Sequence, residues 1–367
     1  MSTLKLKVAK IERQTGDCKA IYFEHPTTPI EYKAGQFFTF ILNIGGKEVR
    51  RSYSICTSPK TDEFMGVAVK KIENGLVSNY LNDNAKAGDE FELLSPLGNF
   101  TYSATENKSS QLLLIAGGSG ITPMMSILKT ALSETENVVI NLLYVNNTKA
   151  DIIFKEELDT LAKTFSNRLN IVHYLNEDNK EVAVTKKKGL KGLFGGKQTI
   201  QNEGFINLDK ARNILEQFSL IDNISAYVCG PTGLMDLMDT VLIAVGVDKE
   251  KIKKESFVSA QTLVNDVTEK ASKSTNSSDR TVSVIIDGTE HNFPVKGGMS
   301  ILQAGLAANV EMPFSCQGGI CTACMGTCKS GKVSMDNTDS LTPKELEQGL
   351  VLTCIGHADS DDVVIEF

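Results

Sequence analysis

The 367-residue sequence lacks the features that mark membrane and secreted proteins. No apolar run approaches the ~18 residues that span a bilayer. The first residues alternate apolar and charged side chains, which is typical of a strand and unlike a secretion signal. We therefore expect a cytoplasmic protein without a membrane segment, in which thiols stay reduced.

Histidine is scarce as well, with only four residues in the chain: His25, His173, His291 and His357. None of them has the spacing of metal ligands, and no Cys-x-His pair of the Rieske type is present. No Ser-His-Asp order accompanies a nucleophile elbow. These absences exclude a Rieske centre and a serine hydrolase.

Positive charge is not in excess, and the net charge of −7 is placed unevenly. Residues 281–367 contain 11 acidic and 4 basic side chains, whereas residues 1–280 contain 34 of each. Such an acidic surface is a poor match for nucleic acid or an anionic membrane, and it can steer a basic protein partner. A surface that merely confers solubility is the alternative that net charge leaves open.

Cysteine is present in a pattern that carries chemistry. Cys316, Cys321 and Cys324 are spaced C-x4-C-x2-C, and Cys354 follows much later, which matches the thiolate ligands of a plant-type 2Fe-2S cluster. The glycines between the cysteines allow a loop to turn tightly around an anionic cluster. A zinc site would more often use two C-x2-C pairs, and the spacing leaves Cys328 as a spare thiol.

The cysteine segment resembles the plant-type ferredoxins, which implies an α+β domain of the β-grasp type over residues 281–367. A cluster passes single electrons and does not accept hydride, so the preceding residues should contain the group that loads it. Residues 264–280 are rich in Ser, Thr, Lys and Asn, and this composition predicts a linker.

Residues 1–105 read as short alternating strands separated by turns, which predicts an antiparallel β-barrel. Two motifs interrupt it, Arg51-Ser52-Tyr53-Ser54 and Gly75-x-x-Ser78, and they resemble the flavin signatures of the ferredoxin–NADP reductase superfamily. A tyrosine can stack on a flavin ring, and an arginine can grip a pyrophosphate. The resemblance implies an FAD site formed by these residues: Arg51, Ser52, Tyr53, Ser54, Val69, Lys71, Gly75, Leu76, Val77 and Ser78.

Residues 106–263 alternate strands and helices, which predicts a doubly wound parallel sheet with its ligand at the carboxyl ends of the strands. Glycine turns follow two of these strands, and their departure from the full dinucleotide fingerprint matches the same superfamily. The resemblance implies that the following residues bind nicotinamide: Gly117, Gly118, Gly120, Thr122, Pro123, Cys229, Gly230 and Pro231. It also implies catalytic positions for Ser54, Cys229 and Phe257, with Phe257 shielding the flavin.

The domain order as a whole resembles the reductase components of multicomponent oxygenases. The resemblance implies that NAD(P)H reduces FAD and that electrons pass through the 2Fe-2S cluster to a protein acceptor. No acidic residue stands in Asn146-Asn147-Thr148-Lys149, and Lys149 can meet a 2′-phosphate, so NADPH is favoured over NADH.

Two other classes stay open at this point: an FMN-containing reductase of the phthalate dioxygenase type, and an electron carrier or sensor without nicotinamide turnover. We expect a monomer. The basic segment 186–197 is expected to be an exposed loop, either a neutral insertion or a flap that holds an acidic surface.

Overall fold

The computed structural model describes residues 3–26, 29–176, 198–202, 204–218, 220, 223–257, 279–286, 288–310, 312–314, 317–319, 322–338, 341 and 343–367. The predicted basic loop 186–197, nearly all of the predicted linker 264–280, and the predicted cluster ligands Cys316 and Cys321 lie outside these residues. Within them, no helix has both the length and the apolar character needed to cross a membrane.

The first part of the chain forms an antiparallel barrel, as predicted. Its elements are β1 (Thr3–Thr15), β2 (Cys18–Phe23), β3 (Phe37–Ile44), β4 (Lys47–Ser54), β5 (Met65–Lys70), α1 (Leu76–Asn84) and β6 (Glu90–Leu97). The sheet order is β4-β3-β6-β1-β2-β5, and a bridge between Ile55 and Val67 joins the two outer strands. Alternate residues point inward, so Phe23, Phe38 and Phe40 fill the interior without solvent exposure.

The second part is a six-stranded sheet whose strands are all parallel, which confirms the doubly wound prediction. Its elements are β7 (Gln111–Gly117), α2 (Ile121–Glu134), β8 (Val139–Asn146), α3 (Lys155–Thr164), β9 (Leu169–Leu175), β10 (Gln198–Asn202), α4 (Leu208–Gln217), β11 (Ile224–Gly230), α5 (Thr232–Ala244) and β12 (Ile252–Ser256). The order is β10-β9-β8-β7-β11-β12. The strand order reverses at β7 and β11, where such sheets bind their ligands.

The barrel and the parallel sheet share one apolar core. Barrel residues such as Cys18 and Cys56 belong to the same buried cluster as Met124 and Leu128 of α2. Helix α2 is buried along almost its whole length. The carboxyl edge of the parallel sheet is therefore held in a fixed position against the end of β4.

The last part is a five-stranded mixed sheet with short helices, which agrees with the predicted ferredoxin fold. Its elements are β13 (Arg280–Ile286), β14 (Thr289–Val295), α6 (Ile301–Ala307), β15 (Met325–Ser330), β16 (Val333–Met335), α7 (Pro343–Glu347), β17 (Leu350–Leu352), β18 (Gly356–Ala358) and β19 (Val363–Glu366). The order is β14-β13-β19-β15-β17, with β13 and β19 parallel, and β16 and β18 form a separate pair.

Candidate active site

The two glycine motifs of the parallel sheet meet at the carboxyl ends of β7 and β11. A Cβ atom on Gly120 would lie 2.2 Å from the carbonyl oxygen of Cys229. One on Gly230 would lie 3.0 Å from the Cα of Gly117, and one on Gly117 would lie 2.7 Å from Cδ of Pro231. Any side chain would collide at such distances, so only glycine lets the two strand ends approach this closely.

The turn after β7 leaves an open cleft beside this contact. Gly118 has a φ of +52°, and a Cβ placed on it would meet no atom of the described residues within 4 Å. Its carbonyl oxygen accepts a hydrogen bond of 3.0 Å from the Tyr144 hydroxyl, which fixes the turn. Thr232 begins α5 across the cleft, and its buried Oγ1 makes no hydrogen bond within the described part of the chain. An open glycine turn, a hydroxyl without a partner there and a helix N-terminus fit a dinucleotide pyrophosphate.

Ser54 of the barrel and Glu255 of the parallel sheet meet at this edge. The Ser54 hydroxyl donates a hydrogen bond of 3.3 Å to Glu255 Oε2, and Ser54 is buried. The β11–β12 register pairs Glu255 with Cys229. Burial raises the pKa of the Cys229 thiol well above its usual range, and the Glu255 charge raises it further, so the thiol stays protonated. The structure thus brings together two of the predicted catalytic residues.

The sequence indicates Glu255 only as part of Glu255-Ser256-Phe257, which resembles the segment that returns toward the flavin in reductases fused to ferredoxin. It predicts no separate role for the carboxylate, in contrast to Phe257, the third predicted catalytic residue. Phe257 follows β12 directly and is 41% exposed. It lies close in the chain to the Ser54–Glu255 contact, and its aromatic face is open to solvent.

The barrel motif lies on β4, with its residues on alternating sides. The Tyr53 ring meets the edge of Phe40 at 5.6 Å between centroids, and burial raises the pKa of its phenol. Ser52 shares a hydrogen bond of 2.8 Å with Thr39, and Nη1 of Arg51 donates to the neighbouring carbonyl of Arg50 at 2.7 Å. The neutral, partly buried tyrosine offers a surface on which a flavin ring can stack.

The second barrel motif forms the turn before α1. The Ser78 hydroxyl accepts a hydrogen bond of 3.3 Å from the Ile72 amide and donates one of 3.4 Å to the Gly75 carbonyl. A Cβ on Gly75 would lie 2.5 Å from Ser78 Oγ. Ser78 therefore shapes the turn, and the first amides of α1 are the groups left to meet an anion. Val77 is buried beneath this turn, and Leu76 is exposed beside it.

The remaining predicted flavin residues serve contacts within the barrel. The Val69 carbonyl accepts a hydrogen bond of 2.9 Å from the Asn82 amide. The Lys71 ammonium lies 2.5 Å from the Asp83 carboxylate. Both residues thus anchor α1 to β5.

Cys324 and Cys354 are buried in the core of the third domain. Thr353 links them, because its amide and hydroxyl donate to the Cys324 carbonyl at 3.2 and 3.0 Å. The loop before Cys324 contains Gln317 and Thr322 in the left-handed region, with φ of +56° and +54°. Left-handed residues in a loop turn backbone amides toward a common centre, so this loop fits an anionic cluster.

Cys328 lies apart from that pair, within β15. Its backbone pairs with Ile365, and its Sγ donates to the Ser330 carbonyl at 3.1 Å. Burial raises the pKa of this thiol. Cys328 is thus part of the sheet rather than of the loop.

The described part of the cysteine loop, residues 317–319 and 322–324, contacts the barrel through Thr322 and Ala323. Ala323 is buried against Phe37 and Leu97, and Nη1 of Arg50 donates to Thr322 Oγ1 at 3.4 Å. Phe37 is the register partner of Ser54 in the β3–β4 pair. The barrel residue paired with Ser54 is thus the one that contacts Ala323, next to Cys324.

An antiparallel barrel, a parallel dinucleotide sheet and a ferredoxin-like domain with buried cysteines define a flavin and iron–sulfur reductase. Three family models match the chain in this order: an oxidoreductase FAD-binding domain over residues 5–102, an oxidoreductase NAD-binding domain over residues 114–240, and a 2Fe-2S iron-sulfur cluster binding domain over residues 284–358.

Curated relatives share this organisation along their whole length. The chain is 32% identical to one subunit of the 1,2-phenylacetyl-CoA epoxidase of Escherichia coli (strain K12), covering 99% of this chain and 97% of the relative. It is also 32% identical to the ferredoxin reductase component of 3-ketosteroid-9-alpha-monooxygenase of Rhodococcus rhodochrous, covering 99% and 96%. Among solved structures, phthalate dioxygenase reductase has the same fold, with a TM-score of 0.57 and 23% identity over 100% of this chain and 98% of that one.

The chain belongs to the family of ferredoxin reductase-type NAD(P)H oxidoreductases that join FAD- and NAD-binding domains to a C-terminal 2Fe-2S domain. FAD and a 2Fe-2S cluster are its cofactors, and NAD(P)H is its substrate.

Proposed function

We propose that this chain oxidises NADPH and delivers the electrons singly to the oxygenase component of a multicomponent system of the phenylacetyl-CoA epoxidase type. The observation that supports this most is the position of Ser54, which contacts Glu255 of the nicotinamide domain and pairs in register with Phe37, on which the cysteine loop rests. Two paired residues of the flavin barrel thus face the two neighbours, with Ser54 at the nicotinamide domain and Phe37 at Ala323 beside Cys324.

When bound, FAD accepts a hydride from NADPH as an electron pair, and the 2Fe-2S cluster takes up single electrons. The open turn at Gly118, together with Thr122 and the Thr232 hydroxyl, holds the nicotinamide dinucleotide. Pro123 and Pro231 limit the movement of the two turns that form this cleft.

Side chains of the protein would orient the nicotinamide and flavin rings relative to each other. The buried, protonated Cys229 would line the nicotinamide side of the site, and Glu255 accepts the hydrogen of the Ser54 hydroxyl, which leaves the hydroxyl oxygen to meet the flavin. Phe257 covers the flavin from solvent until nicotinamide displaces it. In the barrel, Tyr53 stacks on the flavin, while Arg51 and the amides that begin α1 bind its pyrophosphate.

Four thiolates hold the cluster in this proposal: Cys316, Cys321, Cys324 and Cys354. The Thr353 hydrogen bonds set the spacing of the last two. Because Ala323, next to Cys324, is buried against Phe37 of the barrel, these thiolates would bring the one-electron chemistry of the cluster to the domain that binds flavin.

The preference for NADPH follows from the turn after β8. Both the amide and the hydroxyl of Thr148 donate to Asp151 Oδ2 at 2.9 Å, so one oxygen of this carboxylate is engaged in the turn. Lys149 is exposed beside it and can pair with a 2′-phosphate. Lys149→Ala should raise the KM for NADPH and leave that for NADH unchanged. Equal effects on both substrates would contradict the assignment.

Purified protein with NADPH tests the function directly. We expect rapid reduction of ferricyanide and cytochrome c. When an oxygenase component of the phenylacetyl-CoA epoxidase type is added, we expect NADPH oxidation to be coupled to turnover of that oxygenase. An electron carrier or sensor without nicotinamide turnover would leave NADPH unconsumed. Acid extraction and chromatography of the flavin should yield FAD, and recovery of FMN would contradict that part of the proposal.

A further inference from the structure

Lys129 is a charged residue with almost no access to solvent, and it lies between the flavin barrel and the nicotinamide domain. The proposed hydride transfer depends on the distance between these two domains. Lys129 lies in the middle of α2 and is 8% exposed. Its ammonium nitrogen is 2.9 Å from Asp62 Oδ2 and 2.8 Å from Glu157 Oε1. Asp62 belongs to the barrel, in the loop between β4 and β5, and Glu157 belongs to α3. One lysine thus joins the barrel to two helices of the nicotinamide domain.

Asp62, the barrel partner of Lys129, is itself held by the barrel backbone. Asp62 Oδ2 also accepts a hydrogen bond of 2.6 Å from the Ser58 amide. Burial by itself lowers the pKa of Lys129, but Glu157 and Asp62 more than offset this, so its pKa is raised and the ammonium stays charged. Removing one partner of such a buried pair leaves an uncompensated charge, which is strongly destabilising.

Neighbouring residues of α2 reinforce the same contact. The Ser126 hydroxyl donates to the Thr57 carbonyl at 2.6 Å, and the hydroxyls of Thr130 and Ser58 lie 2.8 Å apart. Three positions on one face of α2 therefore hold the segment 57–62, which begins three residues after Ser54.

The contact between α2 and the segment 57–62 links the nicotinamide cleft to the flavin barrel. Helix α2 begins at the glycine turn that forms the nicotinamide cleft, and the segment it holds continues directly from Ser54. We propose that Lys129 is a positioning residue, which sets the distance between the flavin barrel and the nicotinamide cleft by clamping Asp62 to α2 and α3. This inference rests on the proposed hydride transfer and names a residue outside the cofactor sites that governs it.

Lys129→Met tests the clamp. A displacement of about 1 Å between reacting groups can slow a reaction about 100-fold. We expect flavin reduction at saturating NADPH to slow by about 10- to 100-fold, with normal flavin content. Lys155→Met is the matched control, because Lys155 pairs with Asp159 at 2.6 Å within α3, and among the described residues no ion pair links it to the barrel. It should stay within about twofold of the wild type.

A neutral variant separates positioning from stability. Lys129→Met combined with Asp62→Asn and Glu157→Gln removes the uncompensated charges, and the amide oxygen introduced by Asp62→Asn still accepts from the Ser58 amide. The melting temperature of this triple variant should recover while flavin reduction stays slow. Recovery of the wild-type rate would overturn the positioning role and leave only a stabilising one. If Lys129→Met does not fold, Ser126→Ala, which removes one small buried donor, should slow flavin reduction about two- to fivefold, and an unchanged rate would overturn the proposal.

A measurement on the resting protein, without NADPH, is independent of the reaction. Amide hydrogen exchange over residues 57–62 should be at least about tenfold faster in Lys129→Met than in the wild type, and unchanged in Lys155→Met. Unchanged exchange in Lys129→Met overturns the clamp whether or not the wild type oxidises NADPH. Failure of the wild-type flavin to be reduced by NADPH would instead refute the proposed function.

Discussion

Replacing Gly120 with alanine should separate the two halves of the nicotinamide cleft. The added Cβ would lie 2.2 Å from the Cys229 carbonyl oxygen and 3.0 Å from the Gly230 nitrogen, both of them backbone atoms that cannot rotate away. An ordinary contact needs about 1 Å more, so β7 and β11 must part by roughly that distance at their carboxyl ends. We expect a loss of about 1–3 kcal/mol in the free energy of unfolding from this overpacking.

The effect on catalysis should be larger than the effect on stability. A shift of about 1 Å of Cys229 relative to Ser54 should slow hydride transfer about 100-fold. Stopped-flow flavin reduction at saturating NADPH measures this rate, and the flavin content of the purified variant shows whether the barrel is intact.

Gly233→Ala is the matched control. Gly233 lies in the first turn of α5, where a Cβ would meet no atom within 4 Å in the part of the chain that the structure describes. Alanine there should raise stability by about 0.5–1 kcal/mol and leave the rate unchanged. Wild-type flavin reduction in Gly120→Ala would refute the view that this backbone contact sets the geometry of the cleft.

Four further predictions concern the cofactors, the fold and the tether. Cys324→Ser should lose the bound iron while retaining flavin, whereas Cys328→Ser should keep wild-type iron; iron analysis checks both, and equal iron in the two variants would contradict the ligand assignment. Arg51→Ala should bind flavin about 10- to 150-fold more weakly, because a charged contact contributes about 1.5–3 kcal/mol; equilibrium dialysis measures this, and full affinity would contradict it. Burial lowers the pKa of His173 from 6.5 to about 4, so its contribution to stability is complete above pH 6.5 and falls by about 3 kcal/mol as the pH drops toward 4; urea unfolding should show this slope in the wild type and lose it in His173→Gln. Separating the chain within residues 264–280 should slow flavin-to-cluster transfer at micromolar concentration, and more so at high salt, since a tether supplies about millimolar effective concentration; equal rates in split and intact protein would contradict a role for the linker.

Sequence periodicity predicts the antiparallel barrel and the parallel sheet, but it does not predict two strands of the parallel sheet. β10 reads QTIQN and β12 reads IKKES, and neither has the apolar run that marks β7 or β8. Both are outer strands of the sheet, so they need less apolar surface than the central ones. Their placement follows from pairing with β9 and β11, which periodicity does not encode.

The sequence predicts a candidate site where one short motif carries the chemistry, as in the glycine turns and the cysteine spacing. Contacts between distant segments were not predictable. Ser54 and Glu255 are 201 positions apart, and the Lys129–Asp62 pair joins elements of different domains. Lysine in an amphipathic helix normally faces solvent, and only the packing of α2 against the barrel shows that this one is buried. Val69 and Lys71 lie near the flavin motif in sequence, which is why they are predicted to bind flavin. Their contacts with α1 are visible only in the structure.

Anaerobic stopped-flow mixing of the intact protein with one equivalent of NADPH tests the central claim most directly. Flavin absorbance and the electron paramagnetic resonance signal of a reduced 2Fe-2S cluster are followed in the same time course. We predict that flavin bleaching comes first and that the cluster signal rises afterwards at the expense of reduced flavin. A cluster signal that never forms although the flavin is fully reduced, or a flavin that NADPH does not bleach, would contradict electron flow from the nicotinamide cleft through the barrel to the cysteine loop.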